Sequence, residues 1–405
     1  MKIFKNYTFT ILFLIGFIVT AQEKKENPFS TKWDNGFKIE NADKSIKMKF
    51  GGRIMYDFGF FSLNNEAETN GYTLASENGN EFRRARLFTS GTIYNNVDFK
   101  LQLDFTGGEV TLKDAYITLK KLPVVGNLRV GHFKEPFRLE ALTSSKYITF
   151  MERALPISMI PERNSGFMLF NESSNKRMSW QIGLFRGADS DTSDSPEANG
   201  DYAITSRLAG VVVKNDKTLL HLGISHSYRK PQESKTYGYG VRPEVHISEK
   251  YITTSVDGVQ NINLFNLETA LVAGSFSFQG EYSQASVNST IEDEKFNSYY
   301  TQVSYFLTGE KRAYKNSVVG FGRVKPINNF GDGDGMGALE FAVRYSAIDG
   351  MESDKMTTIS AGFNWHLNPA TRVMANYVIS NIENNTQFNG DGRFSAFQMR
   401  FQIDF

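Results

Sequence analysis

Phe397-Gln398-Met399-Arg400-Phe401-Gln402-Ile403-Asp404-Phe405 alternates apolar with polar or charged side chains through nine residues. Successive side chains of an extended strand point to opposite faces, so Phe397, Met399, Phe401, Ile403 and Phe405 share one face and Gln398, Arg400, Gln402 and Asp404 the other. A strand apolar on one side and charged on the other is built to stand between lipid and water, which predicts a transmembrane β-barrel. The same two-faced pattern recurs in Arg53-Ile54-Met55-Tyr56-Asp57-Phe58, Phe99-Lys100-Leu101-Gln102-Leu103-Asp104-Phe105 and Met178-Ser179-Trp180-Gln181-Ile182-Gly183-Leu184. It returns in Leu339-Glu340-Phe341-Ala342-Val343-Arg344-Tyr345 and in 357–365. A soluble β-sandwich would turn its apolar faces inward; a membrane barrel turns them outward, and the number and length of these segments favour the barrel.

Strands are expected near 46–60, 81–94, 97–106, 110–120, 127–133, 166–171, 177–185, 202–214, 217–229, 262–273, 274–284, 295–308, 337–347, 356–367, 370–381 and 392–405. About 16 strands is an even count, as a single-chain bacterial barrel requires, and is the size that leaves a water-filled channel. Tight connections at Asn95-Asn96, Asn215-Asp216, Ala273-Gly274 and Asn368-Pro369 interleave with long ones at 61–80, 134–165, 186–201 and 230–261. That is the expected alternation of periplasmic turns and external loops. The exception is 309–336, periplasmic by parity yet long, and its Val318-Val319-Gly320-Phe321 leaves room for a further strand or strand pair.

Lys2 and Lys5 precede an apolar run from Phe9 to Val19 that ends in Val19-Thr20-Ala21 before Gln22-Glu23-Lys24-Lys25, which reads as a secretory signal peptide over 1–21. The run is shorter than the ~20 residues that span a bilayer, and no later segment is long and apolar enough to do so as a helix. Residues 22–44 are expected to form a short polar periplasmic leader and 45–405 the barrel. The chain has 14% aromatic and 40% hydrophobic residues, as strands apolar on one side should give, and no cysteine for a disulfide, thiolate metal site or lipid attachment. Localisation in the outer membrane of a Gram-negative cell follows.

Net charge is +1, or −1 without Lys2 and Lys5, so selectivity must come from where charges stand. Ala85 and Leu87 belong on the lipid side, which sends Arg84 and Arg86 into the lumen; the same parity turns Arg53, Lys100, Arg129 and Arg344 inward. The long connection after the fifth strand adds Lys134, Arg138, Lys146, Arg153 and Arg163. From Glu81 to Arg163 there are 13 Lys or Arg against 9 Asp or Glu. If that connection folds back into the pore, its cations would stand at a constriction and replace water around an anion, arginine offering paired donors to two oxygens. Alternatively they pair with Asp104, Asp114, Glu140 and Glu152 and simply solvate the wall.

Several of these stretches resemble one family. Phe82-Arg83-Arg84-Ala85-Arg86-Leu87, Asp98-Phe99-Lys100-Leu101-Gln102-Leu103-Asp104-Phe105, Lys113-Asp114-Ala115-Tyr116-Ile117 and Val130-Gly131-His132-Phe133-Lys134-Glu135-Pro136-Phe137 are similar to the front half of the phosphate-selective porin O and P family. So are Leu142-Thr143-Ser144-Ser145, Phe150-Met151-Glu152-Arg153-Ala154-Leu155, Phe306-Leu307-Thr308-Gly309-Glu310 and Arg344-Tyr345-Ser346-Ala347-Ile348-Asp349. The resemblance implies a trimeric porin of 16 strands whose third external loop folds inward and presents arginine and lysine to phosphate or polyphosphate. It makes 134–165 that loop and Lys134, Arg138, Lys146 and Arg153 its anion-binding candidates beside Arg84 and Arg86. Glu135, Glu140 and Glu152 stand among them.

Other constellations are weaker. Asp189, Asp191 and Asp194, or Asp332 and Asp334, lack the full ligand spacing of a calcium loop. His132, His221, His226, His246 and His366 show no metal spacing; His226, on the lipid side with Tyr228, is the one residue that invites a lipid-cleaving enzyme. No cofactor, no catalysis and no nucleic-acid partner are expected. The reading is a passive outer-membrane channel for small anions, in contact with membrane lipid, against two alternatives: a general, weakly selective porin and a barrel enzyme acting on lipid.

Overall fold

The computed structural model describes residues 28–186, 201–231 and 236–405. The expected signal peptide and Asp189, Asp191 and Asp194 lie outside these residues. Sixteen antiparallel strands close on themselves: β1 Lys47–Leu63, β2 Asn78–Ile93, β3 Val97–Asp104, β4 Thr111–Leu122, β5 Gly126–Lys134, β6 Arg163–Glu172, β7 Met178–Arg186 and β8 Tyr202–Lys214. They continue as β9 Thr218–Lys230, β10 Val259–Ala273, β11 Phe276–Ser289, β12 Glu294–Phe306, β13 Ala338–Asp349, β14 Lys355–His366, β15 Thr371–Glu383 and β16 Gly392–Asp404. Each pairs with its sequence neighbour, and β16 closes the ring on β1 from Phe394 opposite Leu63 to Asp404 opposite Arg53. All sixteen expected strands are present, displaced by a few residues at their ends.

The parity that predicts the barrel is the parity observed. On β16, Phe397, Phe401 and Ile403 are exposed on the outer surface, whereas Gln398, Arg400, Gln402 and Asp404 are buried against the lumen contents. Apolar side chains outside and polar ones inside invert the order of a soluble sandwich. No helix of the described residues is long and apolar enough to cross a membrane.

Of the segment 22–44, expected to be a polar leader, the structure describes residues 28–44. Ser30–Trp33 and Phe37–Glu40 form a hairpin whose second strand pairs with Lys47 to Phe50 of β1, directly beneath β16. The 307–337 connection also departs from a simple turn. It holds the strand pair Tyr314–Asn316 and Gly320–Phe321 and rises into the lumen. There the Arg207 guanidinium donates to the Ser317 carbonyl (2.7 Å), Tyr314 Oη bonds His221 Nδ1 (2.7 Å), and the Phe321 N–H donates to Thr143 Oγ1 (3.4 Å). Gly320 sits at φ +76° where a Cβ would come within 2.6 Å of Leu139 Cδ1, so only glycine allows this approach.

The outer half of the lumen is packed on one side. Phe137, Leu155 and Met159 from the third external loop meet Tyr239, Val241, Tyr251 and Ile252 from the fifth, over inward-facing Ile262, Phe296, Val378 and Phe394. Burying a large apolar side chain stabilises by roughly 1.5–3 kcal/mol, so this cluster holds both loops inside the barrel. It closes the β10–β16 side and leaves the passage to the β1–β7 side.

Candidate functional site

The third external loop, 135–162, is held by backbone as well as by charge. Wall donors take its carbonyls in turn: Gln402 that of Lys146 (3.2 Å), Arg372 that of Ile148 (2.9 Å), Asn364 that of Thr149 (2.8 Å) and Arg400 that of Met151 (2.5 Å). The N–H groups of Leu139 and Glu140 donate to the Glu281 carboxylate at 2.9 Å each. These anchors belong to β11 and β14–β16, so the loop lies against that wall and faces β1–β7 across a cavity of about 660 Å³.

Twelve Lys or Arg line this cavity against four Asp or Glu, namely Asp114, Glu152, Glu162 and Glu244. Two β-bulges help to make that excess. Met55 pairs with Arg84 and Tyr56 with Phe82, which leaves Arg83 as the extra residue; Gln102 pairs with Asp114 and Leu103 with Leu112, which leaves Lys113 extra. A bulge re-aims side chains that strict alternation would send outward. Arg83 and Arg84 therefore both line the cavity while Phe82 stays exposed on the outside.

The six anion-binding candidates separate into two groups. Arg84, Arg86, Lys134 and Arg153 line the cavity. Arg84 lies 3.7 Å from Glu152, Arg86 donates to Asp104 (2.7 Å), and Lys134 and Arg153 approach Glu162 at 3.3 and 3.7 Å. Arg153 also donates to the carbonyls of Glu140 and Thr143, at 3.0 Å each. Arg138 and Lys146 stand elsewhere. Arg138 is wholly buried behind the loop, 3.6 Å from both Glu140 and Glu281, and Lys146 pairs with Asp404 (3.2 Å) on the loop's wall side. Burial, opposed by Asp404, brings the Lys146 ammonium down to about 8.

Of the wall cations, Arg53 reaches Ser145 Oγ (2.7 Å), Lys100 pairs with Asp114 (2.6 Å), and the Arg129 guanidinium lies 4.1 Å over the Tyr116 ring; all three line the cavity. Arg344 is buried behind the loop, where it donates to Glu244 Oε2 (3.0 Å) and to the Glu152 carbonyl (3.0 Å). Arg83, Lys113, Arg242 and Lys315 also line the cavity and escape strand parity, two through bulges and two because they lie on inserted connections.

The loop's acids take their counter-charges largely from the wall. Glu135 accepts from Arg229 (3.0 Å) and Asn164 (2.5 Å), and Glu152 from Arg83 (2.8 and 2.9 Å) and Arg400 (2.9 Å). Burial would push the Glu152 carboxyl up, but Arg83, Arg84 and Arg400 hold it well below the usual range. Glu162 stands among Arg163 (2.8 Å), Lys134 and Arg153, and these three outweigh its partial desolvation and hold it low as well. It is the loop acid nearest the open passage, with its side chain 36% exposed.

No cluster of metal-ligating residues occurs among the described residues. His226 bonds Asn263 (3.2 Å) on the outer face, and Ser206 is its registered neighbour, yet no hydrogen bond joins the two.

The sequence signature of the family described as Phosphate-selective porin O and P matches residues 48–405. The chain is 26% identical to Porin O of Pseudomonas aeruginosa over 430 aligned residues, which cover 92% of each. Among solved structures it is similar in fold to an anion-selective porin from Comamonas acidovorans (TM-score 0.54, 12% identity, 89% of this chain and 100% of that one). It is similar too to a trimer form of OmpT from Vibrio cholerae (TM-score 0.52, 11% identity, 89% and 100%).

Proposed function

The chain belongs to the phosphate-selective porin O and P family, and from that premise we propose that this outer-membrane porin passes small anions, phosphate or polyphosphate first, through the passage between the third external loop and strands β1–β7. The observation that carries this reading is the twelve-to-four excess of cations over acids along that cavity. Such a lining raises the local anion concentration. Guanidinium and ammonium groups there replace part of the anion's hydration, arginine with paired donors to two oxygens. Asp114, Glu152 and Glu162 compete for the same cations, which keeps a passing anion bound weakly enough to leave. Movement follows the gradient and no bond is made or broken. A homotrimer is part of the same reading, in line with the family and with the trimeric OmpT.

The test is the reversal potential of the purified protein in planar bilayers under a potassium chloride gradient, repeated with phosphate added. A potential on the chloride side with block of chloride current by phosphate supports the proposal. A potential near zero, or on the potassium side, refutes anion preference and leaves the general-porin alternative. Chloride selectivity without block restricts the reading to small anions at large.

A further inference from the structure

We propose that the hairpin Ser30–Trp33 and Phe37–Glu40 is a membrane-contacting strip, with Trp33, Phe37 and Phe50 seated in the headgroup boundary of the periplasmic leaflet. The argument is one of register. Trp33 pairs with Phe37, Phe37 with Phe50, Phe50 with Thr89 and Thr89 with Leu101. Directly opposed residues of antiparallel strands project to the same face, so these five side chains form one row. A second row runs Thr31, Ile39, Met48, Gly91, Phe99 and Ile117. Leu101 and Ile117 are exposed apolar residues of the lipid-facing wall, and both rows carry that surface onto the hairpin without a break.

The hairpin's other face is charged. Ser30, Lys32, Lys38 and Glu40 alternate with the apolar set, and Lys32 pairs with Glu40 at 2.8 Å. This is the apolar-out, polar-in order of the membrane strands themselves. The hairpin also abuts the barrel: a Cβ on Gly36 would lie 3.4 Å from the Phe405 carbonyl carbon.

The occupant follows from that continuity and from residue type. Trp33 is 66% exposed, Phe37 44% and Phe50 40%, a concentration of ring surface that lipid accepts and water does not. Tyr94 and Phe276 are exposed and Trp365 half-buried at the same end of the barrel, where tryptophan and tyrosine rings collect at a membrane boundary. The hairpin extends that girdle across the β16–β1 seam. It also covers the Lys47 to Phe50 edge of β1, which would otherwise present unpaired backbone groups beside lipid.

The chain has three tryptophans, Trp33, Trp180 and Trp365, so a single-tryptophan protein is reached with W180F and W365F. It is reconstituted into phosphatidylcholine vesicles with and without bromine near the headgroup end of one acyl chain, and Trp33 emission is read against acrylamide in the water. The expected result is a loss of about half the emission to the brominated lipid and little to acrylamide, as for a ring at the membrane boundary. Quenching by acrylamide alone would place the hairpin in the periplasm and overturn the proposal. Quenching by neither would place Trp33 against another protein surface, a second copy included, and overturns it equally. The W33F/W180F protein, which retains Trp365, is the control for an embedded girdle residue. If the paired substitutions prevent folding, the difference in brominated-lipid quenching between the unaltered chain and W33F gives the same answer.

Discussion

Replacing Glu162 with glutamine tests whether the cavity cations meet a passing anion or are spent on the loop's own acids. Glu162 faces Arg163 at 2.8 Å, Lys134 at 3.3 Å and Arg153 at 3.7 Å, and its 36% exposed side chain calls for a water-like dielectric. Two unit charges about 6 Å apart in such a medium interact by ~0.7 kcal/mol, the repulsion that a phosphate beside Glu162 stops feeling once the carboxylate is gone. That corresponds to about threefold tighter binding per unit of phosphate charge, and to about tenfold for the dianion. The assay is phosphate block of chloride current in planar bilayers, at matched ionic strength because salt screens these terms. E162Q is expected to lower the half-blocking phosphate concentration by about three- to tenfold and to shift the reversal potential further toward chloride. Because the wall cations hold this carboxyl well below its ordinary range, it stays charged from pH 7 to below pH 5, so the wild-type and mutant curves should keep their separation across that interval. Unchanged or weakened block in a protein that still assembles would refute the idea that Lys134, Arg153 and Arg163 are available to solutes.

R138M should leave selectivity and phosphate block unaltered, since Arg138 is wholly buried behind the loop; stability against heat in detergent should fall, because removing one member of a buried ionic cluster costs about 3–5 kcal/mol. R400L removes the donor shared by Asp57, Glu152 and the Met151 carbonyl, so single-channel recordings should show a larger, noisier conductance as the loop leaves the wall. The folded ammonium of Lys146 titrates near 8, against about 10.4 for a free lysine, so on the folded protein it loses its charge at mildly alkaline pH. Loss of that charge weakens the Lys146–Asp404 pair behind the loop, so single-channel noise should rise between pH 7 and 9 with selectivity little changed, and K146Q should flatten that rise. G320V forces a Cβ toward Leu139 at φ +76°, and an increase in single-channel conductance would report displacement of the inserted periplasmic segment from the loop.

The barrel was legible because the signal for it is local. Each strand carries its own alternation, as in 397–405, and sixteen such segments with short and long connections in turn leave little choice of topology. What defeats the same reading is any residue whose direction is set from elsewhere. Arg83 and Lys113 reach the lumen because single-residue bulges break the count, and a bulge leaves no mark in composition. Arg138 and Arg153 are indistinguishable as loop arginines, since a loop has no period; which one meets water depends on the wall behind it. The hairpin was different, for Phe29-Ser30-Thr31-Lys32-Trp33 does alternate, but a four-residue strand is too short to stand out from a polar segment. In 309–336 the stretch Val318-Val319-Gly320-Phe321 left room for a further strand or strand pair, and a pair is present, although nothing in the sequence said that it would stand in the lumen.

The arrangement of the loop explains how one kind of side chain serves two ends in this channel. Arg344 and Arg400 are fully buried and hold carboxylates and loop carbonyls together, which fixes both guanidiniums and leaves them no surface for a solute. A buried guanidinium persists only with such partners, because desolvation otherwise outweighs its attractions. These anchors pull the loop onto β11 and β14–β16, and the apolar cluster fills the space above it on the same side. The open passage is thereby pushed against β1–β7, the stretch of wall that carries Arg53, Arg84, Arg86, Lys100 and Arg129. The cations behind the loop thus decide where the pore runs, and its position decides which remaining cations an anion meets. A substitution behind the loop should therefore change conductance before selectivity, whereas one on the cavity side should do the reverse; R400L and E162Q are the pair that separates the two.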